Sequence, residues 1–165
     1  MERRPRPSRI RSVFVGGPIQ HAILQGEYPD PLRLLITSIL SILESGGYEV
    51  FSAHRVESFG LGREKFSSDE IAKRDFEWMN RCESFVAILP ADRNGVLRTD
   101  GTHVELGWAS ALGKPIVAVV PLPLPENYGH LLRGLGAIAH VDFVDISEVH
   151  KHPAALRKVL ERQCP

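Results

Sequence analysis

Asp100-Gly-Thr-His-Val-Glu105-Leu-Gly-Trp-Ala-Ser-Ala-Leu-Gly113-Lys-Pro115 runs directly into Ile116-Val-Ala-Val-Val120. The spacing predicts a helix over 102–112, stopped by Gly113 and Pro115, then a β-branched strand over 116–120. Thr102 and Glu105 match the Thr-x-x-Glu capping box, which opens a helix by tying its first amides to side chains. On this reading Glu105 sits in the first turn, at the edge of a parallel sheet, where α/β proteins place their chemistry.

The same alternation continues on both sides of this segment. Ser12 to Val15 is a short strand ending in Gly16-Gly17-Pro18. Asp30 to Ser45 carries Leu32, Leu35, Ile36, Ile39, Leu40 and Leu43 at helical spacing, and Gly46-Gly47 ends it. Tyr48 to Ala53 reads as a second strand. Ser67 and Glu70 form a capping-box signature for a helix to about Arg81. Phe85 to Leu89 is a third strand, closed by Pro90. Beyond Val120 the pattern gives a helix from Tyr128 to Leu135, a strand from Ala139 to Val144 and a last helix from Ser147 to Arg162. The expected fold is α/β: a Rossmann-like, doubly wound parallel sheet of about five strands with helices on both faces.

Length and composition set the outer limits. A chain of 165 residues suits one domain, here 12–163, preceded by a flexible basic arm over 1–11 with five arginines. Lysines and arginines balance aspartates and glutamates at 20 each, which excludes a general nucleic-acid or membrane binder. No apolar run is long enough to cross a bilayer. Two cysteines are too few for a disulfide framework, and the cytoplasm is the expected compartment. Seven histidines without zinc-like spacing predict no metal site.

Right-handed crossovers bring the strand C-termini to one rim. Gly16, Gly17, Pro18, Ile19 and Gln20 follow the first strand; His54, Arg55 and Glu57 follow the second; Asp92, Arg93, Asn94, Arg98 and Thr99 follow the third. Small residues, arginines and carboxylates together suit a small phosphorylated polar ligand. Glu105 has two readings that do not exclude each other. It caps its helix, or it acts as a nucleophile kept ionised by the helix N-terminus. Asp75 falls in the apolar stripe Ile71, Trp78, Met79, Cys82, and an inward carboxylate is costly unless paired or used. A salt bridge to a nearby arginine is its bland explanation. Gly16-Gly17-Pro18 is either a tight turn or a backbone cradle for phosphate or sugar, and it lacks the dinucleotide spacing. A lone histidine near a strand end, as His54 is, is more often structural than catalytic, while Arg55 is a phosphate-partner candidate.

Val13-Phe-Val-Gly-Gly-Pro18, the inward Asp75 and Gly101-Thr-His-Val-Glu105-Leu-Gly-Trp-Ala109 together resemble the nucleoside 2-deoxyribosyltransferase superfamily. Ser12 to Pro18, Ala53-His54-Arg55 and Gly101 to Ser110 are most similar to its nucleoside 5′-monophosphate N-glycosidases, the CMP and hydroxymethyl-CMP hydrolases of cytosine nucleoside antibiotic pathways. The resemblance spans about residues 11–145. It implies a homodimer with shared active sites and no cofactor. It also implies that Glu105 attacks the anomeric carbon, the base leaves, and water releases ribose 5-phosphate. Asp75 would assist proton transfer or place the nucleophile. Gly17, Ile19, Thr99 and Gly101 match positions lining the sugar-phosphate site, and the loop at Asn127 and Tyr128 corresponds to a region reaching the partner's site. Two departures bear on substrate. Phe14 replaces a tyrosine of the deoxynucleotide hydrolases, which favours a ribonucleotide. Gln20 replaces an arginine, which moves phosphate binding toward backbone N–H groups, Thr99, and Arg55 or Arg98. Hydroxymethyl-CMP or dCMP hydrolysis, deoxyribosyl transfer between bases, and nucleotide binding without turnover are the alternatives.

Overall fold

The β-branched runs pair into one parallel sheet whose two faces are both covered. The computed structural model describes residues 11–93 and 95–163; the basic arm apart from Arg11, as well as Asn94 and Cys164, lies outside them. Strands β1 (Ser12–Gly16), β2 (Glu49–Phe51), β3 (Ser84–Ile88), β6 (Ile116–Val120) and β7 (Val141–Asp145) stand in the order β2-β1-β3-β6-β7. All four pairings are parallel. A two-stranded antiparallel ribbon, β4 (Ala91–Asp92) and β5 (Gly95–Val96), projects beyond β3.

Alternation along the strands sorts the core into two layers. Val13, Val15, Val86, Ile88, Val117 and Val119 face helices α1 (Asp30–Ser45), α6 (Ile146–Lys151) and α7 (Ala154–Arg162). Phe14, Phe85, Ala87, Ile116, Ala118 and Val120 face α3 (Ser68–Arg81), α4 (Asp100–Ala111) and α5 (His130–Arg133). The Ser67 box forms in full: Ser67 Oγ accepts from the Glu70 amide, and the Glu70 carboxylate accepts from the Ser67 amide.

The structure corrects several boundaries. A single helical turn, α2 (Ala53–Val56), follows β2 where the sequence pattern extends the strand to Ala53. The last helix is two helices broken at Pro153, because proline supplies no amide to continue the ladder. The helix expected over 128–135 is confined to His130–Arg133. Most important, α4 begins at Asp100 with Thr99 as its N-cap and no side-chain cap. The Thr102–Glu105 capping box is therefore absent, and Glu105 sits in the second helical turn rather than the first.

β1 is the switch point. The chain steps outward from it to β2 on one side and to β3 on the other, and the divergence of the following loops opens a crevice at the strand C-termini.

Candidate active site

A cleft of about 210 Å³ occupies that crevice. Its floor is the glycine turn after β1. An added Cβ on Gly16 would overlap the Glu105 Oε2 atom and come within 3.0 Å of the Phe85 ring, so only glycine admits the carboxylate here. The Pro18 carbonyl accepts from Tyr28 Oη at 2.6 Å and from His54 Nε2 at 3.2 Å. Two donors on one oxygen fix the turn. They also fix the His54 tautomer, since a carbonyl only accepts. His54 is fully buried against Tyr28 and Phe59, which lowers its pKa to about 4, and its Nδ1 has no partner.

Three buried carboxylates surround one arginine. Asp75 and Arg74 come from α3, Glu57 follows α2, and Glu105 comes from α4. Arg74 Nη2 lies 2.6 Å from Glu57 Oε1 and 2.8 Å from Asp75 Oδ1, and Arg74 Nε donates to the same Asp75 oxygen. The guanidinium packs over the Trp78 ring at 4.7 Å. Burial alone would lower the Arg74 pKa; its hydrogen bonds to the Asp75 and Glu57 carboxylates, with their charges, reverse that and raise it. Burial raises the Asp75 pKa against the pull of Arg74.

Glu105 is 7% exposed, and its Oε2 has no hydrogen-bond partner. Burial, reinforced by Asp75, pushes its carboxyl up to about 8, with Arg74 opposing. This corrects the expectation that the helix N-terminus keeps Glu105 ionised. One turn farther from the N-terminus, the macrodipole has faded and desolvation wins.

The first turn of α4 forms the opposite end of the cleft. Thr99 Oγ1 donates to Thr102 Oγ1 at 2.6 Å instead of capping, so the first helical amides have no side-chain acceptor. Arg98 and His21 stand at the mouth, both beside Asp100.

Of the residues singled out from sequence, Glu105, Asp75, Gly17, Ile19, Gln20, His54, Thr99 and Gly101 line this one cleft. Three lie elsewhere. Arg55 is turned away from the cleft, and its guanidinium pairs with Glu44 of α1, so it is not placed to hold a phosphate. Phe14 is wholly buried against Phe85 and Trp78, because strand alternation aims it into the α3/α4 layer. Tyr128 is buried too, donating to the Leu89 carbonyl at 3.0 Å within its own subunit. Arg74 escaped the sequence reading. Neighbours on a helix point about 100° apart, so no periodicity pairs it with Asp75, and Glu57 is 17 positions away. The salt-bridge explanation of Asp75 is realised, by an arginine that itself belongs to the cluster.

The fold and cleft place the chain among doubly wound α/β proteins that bind ligands at the switch point. Within that class it belongs to the nucleoside 2-deoxyribosyltransferase family, whose model matches residues 31–133. The solution structure of BlsM is 37% identical, with a TM-score of 0.71 and 93% of each chain covered. The Clostridium botulinum CMP N-glycosidase BcmB is 25% identical, with a TM-score of 0.63, covering 90% of this chain and 98% of that one. A 2-deoxyribosyltransferase of Bacillus psychrosaccharolyticus shares the fold at 21% identity and a TM-score of 0.54, covering 88% and 94%. No curated protein matches the sequence at a significant level. Among the described residues, no helix is long and apolar enough to cross a membrane, and no group of three potential metal ligands occurs.

Proposed function

We propose that this protein hydrolyses the N-glycosidic bond of a pyrimidine nucleoside 5′-monophosphate, CMP foremost, to the free base and ribose 5-phosphate. The observation that carries the proposal is the unpartnered Glu105 Oε2, set against Gly16 in a cleft lined by a second carboxylate, Asp75. Similarity to a CMP N-glycosidase across most of both chains supports the substrate.

Burial raises the proton affinity of both Glu105 and Asp75, and the Asp75 charge raises that of Glu105 further; on this reading the two carboxyls hold one proton between them. That suits a reaction needing one anion and one acid. With the proton on Asp75, ionised Glu105 attacks the anomeric carbon through an oxocarbenium-like transition state. The carbon–nitrogen bond breaks as Asp75 gives its proton to the departing base. Water then attacks the glycosyl ester, returns a proton to Asp75 and frees Glu105. General acid help of about 10²- to 10⁴-fold is what Asp75 is asked to supply. The 5′-phosphate is received by the uncapped amides of α4 together with Thr99, Gly101 and Arg98, a helix N-terminus being a ready anion site.

The proposed assembly is a homodimer. On α4 the buried positions Thr102, Glu105, Leu106 and Ala109 face inward, while Val104 (51% exposed), Trp108 and Leu112 (42%) form an apolar outer stripe beside Phe76 of α3. A helix apolar on both faces calls for a cover on each.

Incubation with CMP, dCMP, hydroxymethyl-CMP, cytidine, UMP and AMP, followed by chromatography of the free base, tests the reading. Base is expected from CMP and not from cytidine, and Glu105→Ala is expected to lose at least about 10³-fold. Wild-type turnover by Glu105→Ala refutes the mechanism.

A further inference from the structure

The two ends of the cleft leave one place for the base. Gly16 and Glu105 mark the anomeric carbon, and the first turn of α4 marks the phosphate. The wall built by α2, the residue after it and α3 is Ala53, His54, Glu57, Ile71 and Asp75, and the loop after β1 adds Ile19 and the Gln20 amide. On the α2/α3 wall the polar atoms are acceptors, apart from the one proton that Asp75 carries in the mechanism above. An ionised carboxylate only accepts, and His54 has committed its N–H to Pro18, leaving a buried and unpartnered Nδ1. Arg74, the donor inside the cluster, gives Nε to Asp75 and Nη2 to Glu57; it is not among the lining residues, and its buried Nη1 has no partner.

Resting on the glycosidase reading above, we infer that Glu57, anchored by Arg74, is the residue that reads the base, accepting from an exocyclic amino group and so selecting an amidine-bearing base such as cytosine over a lactam such as uracil. Cytosine presents N4–H₂ and, when protonated, N3–H. These adjacent donors match a carboxylate as a guanidinium fork does. Uracil presents O4 at the amino position and would set one acceptor against another at a buried carboxylate. Sites built on buried hydrogen bonds reject mismatched analogues by up to about 10⁴- to 10⁵-fold. The same contact favours the protonated ring, so the selected base is also the better leaving group. Glu57 is 4% exposed, and its ion pair with Arg74 fixes the acceptor in place before substrate arrives.

Glu57→Gln separates reading from folding, because its amide oxygen still accepts from Arg74 while its NH₂ donates. The expected result is a CMP-to-UMP ratio of kcat/KM at least about 30-fold below wild type, with UMP cleavage kept or raised. An unchanged ratio in a folded variant overturns the inference. Should the variant fail to fold, calorimetry of wild-type protein with free cytosine and free uracil decides: cytosine is expected to bind at least about 10-fold tighter, and equal binding overturns it. Wild-type protein that binds cytosine selectively, with Glu57→Gln losing that selectivity, but releases no base from any nucleotide refutes the glycosidase reading while upholding this one.

Discussion

Replacing Glu105 by glutamine is expected to destroy activity and to change the stability of the fold by an amount and a sign that depend on pH. The folded carboxyl titrates at about 8 against 4.5 for a solvated glutamate. The folded state therefore holds a proton that the unfolded state has released between those values. Stability falls as pH rises through that window, and the full penalty is present above pH 8. At about 1.4 kcal/mol per pKa unit the ceiling is about 5 kcal/mol. An amide in the same place carries its own unpartnered polar atoms, costing about 1–3 kcal/mol, and leaves a gain of about 2–4 kcal/mol. Urea unfolding of both proteins at pH 4.5, 6, 7.5 and 9 reads it. With an m-value of about 2 kcal/mol/M, the midpoint of Glu105→Gln rises by about 1–2 M at pH 9 and falls by about 0.5–1.5 M at pH 4.5, where only the cost of the amide remains. Taking the difference cancels the other titrating groups. Parallel pH profiles for the two proteins would show that Glu105 is not held protonated by its burial, and the argument for a shared proton would go with it.

Three further outcomes are expected. His54 titrates at about 4 when folded against 6.5 when free, so its contribution is present above pH 6.5 and is lost as pH falls toward 4, by about 3 kcal/mol; urea midpoints of wild type and His54→Gln between pH 4 and 7 should converge or cross accordingly, and a constant gap would contradict it. Gly16→Ala places a methyl on Glu105 Oε2, with an expected loss of at least about 10²-fold in base release and about 1–3 kcal/mol in stability, read by chromatography and thermal melting. Ser67→Ala removes both side-chain bonds of the α3 cap, with an expected cost of about 1 kcal/mol in urea unfolding and no change in turnover, because Ser67 lies outside the cleft.

The sheet and its helices were legible because the signals were local. Leu32 to Leu43 repeat at helical spacing, Ser67 and Glu70 announce a helix start, and Ile116 to Val120 can do little but form a buried strand. The α4 start was misjudged for a local reason as well. Thr-x-x-Glu fits a capping box, but Glu105 is drawn into the core and the Thr102 hydroxyl is taken by Thr99. Of the eight candidate residues that share the cleft, Gly17, Ile19, Gln20, His54, Thr99 and Gly101 lie in segments beyond strands that end at one rim, and Asp75 and Glu105 come from the helices α3 and α4. Arg55 follows the same strand as His54, yet on the single turn of α2 the two point apart, and only the three-dimensional position of Glu44 decides where Arg55 goes. The Glu57–Arg74–Asp75 cluster depends on two elements meeting in space, which no spacing within one element encodes.

The outer stripe of α4 has a consequence for how this sequence can drift. Val104 and Trp108 do not line the cleft, but they flank Glu105 on the same helix. In the proposed homodimer this helix would be seated from both sides and unable to roll, and a roll of one residue would carry Glu105 about 100° away from Gly16. Polar substitutions on that stripe, though they leave every cleft residue in place, should therefore accumulate as slowly as substitutions in the cleft itself.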